Sequence, residues 1–427
     1  MNEKNPSEPR GLSRRAFVQG TALAGFAAFL AACTGTKAST APSATAAPSA
    51  SEEAAASVGP SAAPTVAPTF TPTPQKITGP LKFANWPAYI DQATAADATS
   101  GILPAGSSKT LENFKKKYSI GVDYVEKIDD NQSFFETIRP ALAGNLPTGW
   151  DLIVMTDWMA AKIITKDWAE RLDPVNVPNC VKNLRDPLKG QVWDPTNDYH
   201  YPWQSGMTGI GCNTKTLTEN KIAIPTKIAD LWNIPSDKVT FLSEARDTFG
   251  LGLLKLGINP DPATVTDADL QAVSDDMQPL VDKGLRFTGN EYIADFQQKK
   301  VWAAFVWSGD LASSGTADDK FIFPEEGTMI WTDNMLIPKG AVNKYTAEVM
   351  MDYVYDPAVA AQIADYVYYV SPVKGADLAI KALDPGAETN PLLFPPADVI
   401  AKQHNFQFLS DELEIKLNAL FAKLSGT

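Results

Sequence analysis

The chain has 427 residues, 50 of them acidic and 37 basic, for a formal charge of −13, and only two histidines. This acidic balance argues against nucleic acid or an anionic lipid surface as a partner, because both are bound through Lys and Arg that displace counterions. His200, His404 and three cysteines without a closely spaced cluster supply neither a zinc ligand set nor a base for histidine-assisted hydrolysis, so no metal or other cofactor is expected.

The first segment concerns export. Ser13-Arg14-Arg15-Ala16-Phe17 is a twin-arginine pattern, an apolar stretch runs from Ala16 to Ala32, and Leu30-Ala31-Ala32-Cys33 ends it with small residues before a cysteine. That order reads as a signal over 1–32, cut before Cys33. The stretch is rich in Ala and Gly and shorter than the ~20 strongly apolar residues that a membrane span needs, which argues against a permanent anchor helix. The cysteine at the cut resembles the lipobox of bacterial lipoproteins, which implies acylation of Cys33 and attachment to the outer face of the membrane through that lipid alone. The leader carries four basic and two acidic residues, so its removal takes −13 to about −15. Residues 33–77 are then almost entirely Ala, Pro, Ser, Thr and Gly, with Phe70 the one aromatic. Such a composition cannot bury enough apolar area to offset its ordering entropy, and reads as a disordered tether spanning roughly 35 Å. Its Thr and Pro are also compatible with a glycosylated stalk.

From residue 78 the composition becomes that of a folded body, longer than the ~250–300 residues at which single cores stop growing, so two lobes are expected. Leu81–Ala84 reads as a strand, Leu111, Phe114 and Tyr118 recur at helical spacing, and Val122–Val125 alternates as a second strand. Phe134, Phe135, Ile138 and Leu142 mark another helix, and Leu152–Val154 a third strand. This β-α-β order predicts a parallel or mixed sheet flanked by helices, in which ligands gather beyond the carboxyl ends of the strands. Trp86 and Tyr89 follow the first strand, and Thr156 and Trp158 the third, so these four side chains lie where a site is expected.

A second lobe is expected to begin near Gly209-Ile210-Gly211-Cys212-Asn213. It contains a helix from Glu244 to Leu256, capped by Ser243, and a strand Val301–Trp307 ending in the turn Ser308-Gly309-Asp310. The apolar run Met329-Ile330-Trp331, broken by Thr332-Asp333-Asn334 and resumed at Met335, reads as a return to the first lobe. Cys180 and Cys212 remain in a compartment that permits a bridge, whose geometry a sequence cannot test.

Four carboxylates stand out. Glu244 and Asp247, three apart, point from one face of a first helical turn, with Arg246 between them as an available partner; they suit capping and ligand contact equally. Asp310 and Asp333 each follow an apolar strand within three residues of a tryptophan, as Trp307-x-x-Asp310 and Trp331-x-Asp333; each alone suits a turn as well as a site, and the recurrence at two strand ends favours a shared site. Carboxylates separated by aromatic walls suit a guest with cationic ends and methylenes between them. An aromatic face contributes about 0.5–2 kcal/mol to an ammonium, and a buried amine needs an ionised carboxylate at hydrogen-bond distance. That pattern fits a linear polyamine.

The motifs also resemble those of bacterial spermidine/putrescine-binding proteins. Phe83-Ala84-Asn85-Trp86-Pro87-Ala88-Tyr89-Ile90 is similar to their first-strand motif, and Asp151-Leu152-Ile153-Val154 with Thr156 and Trp158 to the loop after the third strand. Tyr201-Pro202-Trp203 through Asn213, Ala229-Asp230-Leu231-Trp232, Glu244-Ala245-Arg246-Asp247-Thr248-Phe249, Trp307-Ser308-Gly309-Asp310 and Trp331-Thr332-Asp333 follow in the family's order, and Tyr368–Pro372 more loosely. The resemblance implies an α/β, two-lobed periplasmic-binding-protein-like fold of type II topology, each lobe a mixed sheet flanked by helices around a hinged cleft. The lobes would comprise 78–208 with 332–378, and 209–331 with 379–427. It further implies a non-enzymatic protein that hands a small cationic solute to the transmembrane permease subunits of an ABC importer. Carried over by position, Trp86, Tyr89, Thr156, Trp158, Trp307, Trp331 and Tyr369 would pack the carbon chain or donate hydrogen bonds, Glu244, Asp247, Asp310 and Asp333 would hold amines, and Gln407 would add a polar contact.

Pro87 and Ala88 replace residues that are commonly polar or acidic in that family, Trp158 stands where Tyr is frequent, and Gln204-Ser205 replaces a more aromatic segment. These departures leave the choice of solute open. The competing readings are a binder of a sugar, an amino-acid-like compound or ferric iron, the last suggested by adjacent Tyr368 and Tyr369, and a secreted hydrolase using paired carboxylates.

Overall fold

A computed structural model describes residues 75–93, 103 and 107–426. The export signal, Cys33 and nearly all of the tether lie outside the described residues. The folded body is one unit from Ile77 to the end of the chain.

Among the described residues ten strands form one mixed sheet: β1 (Leu81–Asn85), β2 (Val122–Glu126), β3 (Leu152–Thr156), β4 (His200–Asn213), β5 (Val239–Leu242), β6 (Arg286–Thr288), β7 (Ala303–Trp307), β8 (Asp319–Ile322), β9 (Thr328–Leu336) and β10 (Gln403–His404). The order is β2-β1-β3-β9-β4-β7-β5-β6, with β10 beside β9 and β8 beside β4. Two triads, β2-β1-β3 and β7-β5-β6, are parallel within themselves. They are joined through β9 and β4, which run antiparallel to each other and to the triad strands they meet. Opposite β9, Thr156 at the carboxyl end of β3 pairs with Asp333, and opposite β4, Trp307 at the carboxyl end of β7 pairs with Thr208. The ends of both triads are thereby brought to the same central stretch of two crossing strands.

β3 and β7 are buried at every position, as expected of apolar runs in parallel sheets covered on both faces. The helix Lys109–Tyr118, capped by Ser108, contributes Phe114, and the helix Asn131–Ala143, capped by Asp130, contributes Phe134, Phe135 and Ile138 to one core with Phe83 and Ile153. The same core continues through Phe241, Phe249 and Phe305 in the second half, where the Phe241 and Phe305 rings stack at 3.9 Å.

Several local expectations need correction. The helix after β5 runs Ala245–Lys255, and its N-cap is Glu244, not Ser243. The Glu244 carboxylate does not cap that helix; it accepts bonds from Asn131 instead. β7 starts at Ala303 rather than Val301, and Asp310 opens a short helix, Asp310–Ser314, rather than ending a turn. The polar triplet Thr332-Asp333-Asn334 does not break β9, because β3 and β4 supply ladder partners on both sides. The lobe boundaries at 208/209 and 331/332 fall inside β4 and β9, and the one at 378/379 falls inside the helix Ala376–Leu383. Ile380 of that helix shares a small apolar cluster with Ala361, Ala364, Ala387 and Leu393. Cys180 and Cys212 are both buried and free.

Candidate functional site

The carboxyl ends of the two triads and the middle of β9 enclose a cavity of about 450 Å³, its opening to solvent included. Trp86 and Tyr89 enter from the loop after β1, Thr156 and Trp158 from the end of β3, and Glu244 and Asp247 from the turn after β5. Trp307 and Asp310 come from the end of β7, Trp331 and Asp333 from β9, and Tyr369 and Gln407 from the later chain. All of the expected site residues therefore border one space, joined by Pro87, Arg246 and Asn290.

The aromatic walls are fixed by their polar tips and by edge contacts. Trp86 Nε1 donates to Val154 O at 3.1 Å, Trp331 Nε1 to Thr208 Oγ1 at 3.1 Å, and Trp307 Nε1 to Asp247 Oδ2 at 3.0 Å. The Trp86 and Trp307 rings, from opposite triads, meet edge to face at 5.7 Å. Tyr369 lies 5.2 Å from Tyr89 and 5.4 Å from Trp331, centroid to centroid. Gly206 on β4 makes room for this packing: a Cβ there would come within 2.5 Å of the Trp331 ring and 2.8 Å of the Tyr369 ring. Gly206→Ala is expected to cost about 1–3 kcal/mol by overpacking and to displace both rings. Denaturant unfolding and Trp fluorescence would register the change; unaltered values would show that the wall tolerates the methyl group.

Each carboxylate is oriented by neutral donors. Asp333 Oδ1 accepts from Thr156 Oγ1 at 2.7 Å. Tyr89 OH also acts on Asp333, although it completes no hydrogen bond of acceptable geometry. Asp310 accepts from Asn290 Nδ2 at 2.8 Å, Tyr292 OH at 2.6 Å and Tyr369 OH at 2.6 Å. Glu244 Oε1 accepts from both the backbone N and the side-chain Nδ2 of Asn131. Burial is the leading influence on all four, and it disfavours the charged form. It pushes Glu244 to about 8, Asp333 to about 7, and Asp247 and Asp310 to about 6, against the donors that pull the other way.

Among the described residues Arg246 is the one cation on the wall, and it forms no salt bridge with Glu244 or Asp247 as its position between them suggested. Its guanidinium lies 3.5 Å over the Trp158 indole, donates from Nε to Gln407 O, and bonds Glu414 at 3.0 Å. Glu414 is shared with Lys162 at 2.6 Å. Three acceptors on the wall, Asp247 Oδ1, Asn290 Oδ1 and Gln407 Oε1, are buried and complete no protein hydrogen bond of acceptable geometry, although the Thr208 hydroxyl also acts on Asp247. A buried orphan acceptor costs the free energy of its lost hydration, so this wall is built to receive N–H groups.

The model of the bacterial extracellular solute-binding protein family matches residues 113–403, more than half of the chain. The chain belongs to that family. It is 30% identical over 312 residues to the putrescine-binding periplasmic protein PotF of Escherichia coli strain K12, covering 69% of this chain and 81% of the relative. It is 26% identical over 326 residues to the spermidine/putrescine-binding periplasmic protein of Salmonella typhimurium, covering 75% and 85%. In fold it is similar to the spermidine/putrescine ABC transporter substrate-binding protein PotD from Streptococcus pneumoniae, with a TM-score of 0.60 over 81% of this chain and 98% of that one, at 23% identity. The fold is thus the two-lobed α/β fold of periplasmic binding proteins, and as a member of an extracellular family this solute-binding protein is exported.

Sequence reasoning missed Asn131, Asn290 and Tyr292, which position the carboxylates from two helix starts, Asn131–Ala143 and Glu291–Gln297. No local pattern distinguishes them from capping residues. The pairing of Arg246 with Glu414 spans 168 positions, which no spacing rule reaches.

Proposed function

We propose that this protein is the substrate-binding component of an ABC importer and that it captures a polyamine of the spermidine or putrescine type in the cleft between its two halves. The observation that carries the reading is the combination of four buried carboxylates, indole and phenol walls, and orphan acceptors around one space. Protonated amines supply the donors that Asp247, Asn290 and Gln407 lack, and their charge replaces the hydration the carboxylates have lost. Methylenes between the amines pack on Trp86, Trp307 and Trp331. The names of the relatives support the same class of solute.

In this reading β4 and β9 are the connections between lobes, with the first comprising 78–208 and 332 to about 393, and the second 209–331 and the C-terminal helix. Cys33 carries the lipid and the tether holds the body beside the permease subunits that receive the solute. One alternative is weakened by the geometry. A phenolate iron ligand is disfavoured because the Tyr369 hydroxyl donates to Asp310 and burial holds its pKa well above the ordinary value.

A thermal-shift panel tests the proposal on the body from residue 78. Spermidine or putrescine at a hundredfold excess over Kd is expected to stabilise it by about 2.7 kcal/mol. Sugars, amino acids and ferric iron are expected to leave the transition unmoved. A shift with a sugar and none with either amine would overturn the reading.

A further inference from the structure

We infer that Asn131 is a positioning residue that latches the two halves together by holding Glu244 across the cleft, so that closure and the orientation of Asp333 depend on one amide. Asn131 begins the helix that packs on the β2-β1-β3 half, whereas Glu244 leaves β5 in the other half. Both are buried, at 1% and 7% exposure. The Asn131 backbone N–H and Nδ2 both donate to Glu244 Oε1, at 2.5 and 2.9 Å. The same Nδ2 donates to Thr156 Oγ1 at 2.8 Å, while Asn131 Oδ1 accepts from Thr156 N at 3.0 Å. Thr156 Oγ1 in turn donates to Asp333. A continuous chain of hydrogen bonds therefore runs Glu244–Asn131–Thr156–Asp333, from one half into the other and onto the crossing strand.

The chemistry explains why the amide is needed. A hydroxyl at 131 offers one donor, where this junction asks one side chain to donate to both Glu244 and Thr156 and to accept from the Thr156 backbone. A carboxylate would face Glu244 with like charge. Only Oε1 of Glu244 is engaged by the latch, so the other oxygen remains for a cargo amine, and the contact forms in its full geometry only when the halves are together. Asp130 already caps the helix through its bond to Ser133 N, so replacing Asn131 leaves the helix start capped.

This inference rests on the polyamine reading only for its ligand, and its test separates the two. Spin labels on Lys116 and Lys221, exposed residues of opposite halves, report closure, and stopped-flow Trp fluorescence with spermidine and putrescine reports the rates. Asn131→Ala is expected to raise the polyamine off-rate about tenfold or more, the effect of losing a hydrogen bond to a charged group, while the on-rate changes little. It is also expected to shift the label distances toward the open form, and Asn131→Asp to shift them further. Glu244→Gln keeps an acceptor for Asn131, so closure is expected to persist while affinity for the cation falls. An Asn131→Ala off-rate equal to that of the wild type overturns the latch and leaves the polyamine reading standing. If neither amine binds the wild type, the polyamine reading fails, and unchanged label distances in Asn131→Ala then overturn the latch as well.

Discussion

Asp333→Asn is expected to weaken spermidine and putrescine binding by roughly a hundredfold or more while leaving the fold intact. Asp333 sits in the middle of β9, between β3 and β4, and is 5% exposed. Truncating one partner of a buried, hydrogen-bonded charge pair costs about 2–5 kcal/mol, and each 1.4 kcal/mol is tenfold in Kd. An asparagine still accepts from Thr156, so the loss is one of charge rather than of shape. The unliganded variant is expected to melt no lower than the wild type at pH 8, since it buries one ionisable carboxyl fewer. Calorimetric titration together with a melting curve measures both outcomes. Unchanged amine affinity would remove Asp333 from the site.

Binding is expected to weaken steeply on acidification from pH 8 to 5.5, and to release protons in that range. The four wall carboxyls have folded-state values of about 6 to about 8, all raised by burial, and Asp157, which accepts from Asn334, is likewise raised by burial to about 7. In the unliganded cleft these groups hold protons at pH values where free carboxylic acids do not. An arriving ammonium requires the ionised forms, so it must displace those protons, and affinity rises with pH until they are gone. For stability the sign follows from the same numbers. A raised folded pKa means that the native state binds more protons than the unfolded chain between about 4 and the raised value. The contribution of these groups is therefore fully favourable at low pH and is lost as pH rises through 6 to 8. The unliganded protein is thus destabilised by its own site at pH 8, and a bound cation reverses this. Titrations near pH 6.5 in buffers of different ionisation enthalpy would count the released protons, about one or more per solute. A heat independent of buffer would show that the wall is already ionised and the burial argument wrong.

The strength of the site and its cost to the empty fold thus have one origin. Carboxylates placed in a low-dielectric wall gain little from neutral hydroxyl and amide donors compared with what they lose in hydration. Arg246 does not relieve them, because its guanidinium is already committed to Glu414, to the Gln407 carbonyl and to the face of Trp158. That arrangement places a fixed positive charge on the wall of the cavity and, in the proposed reading, leaves the carboxylates for the cationic solute.

Much of this organisation was legible along the chain. Apolar periodicity located β1, β2, β3 and β7 within two residues, and the rule that ligands gather at the carboxyl ends of strands selected Trp86, Tyr89, Thr156 and Trp158 from position alone. The failures share a cause. β9 looked interrupted at Thr332-Asp333-Asn334 because a polar triplet breaks an apolar run, yet neighbours on both sides satisfy its backbone and Thr156 receives its carboxylate. Ser243 looked like a cap because serine commonly is one, yet the turn is shaped by Glu244 reaching Asn131, a partner 113 positions earlier.

Composition, period and motif determined the elements, the acidic character and the set of side chains able to meet a cation, because these depend on residues close in sequence. Which half each carboxylate faces, which of them share a donor, which acceptors remain orphaned and where Arg246 spends its charge were decided only by the tertiary structure. Those properties arise from hydrogen bonds and desolvation between segments 18 to 177 residues apart, and both vary with distances of an ångström that no local pattern encodes.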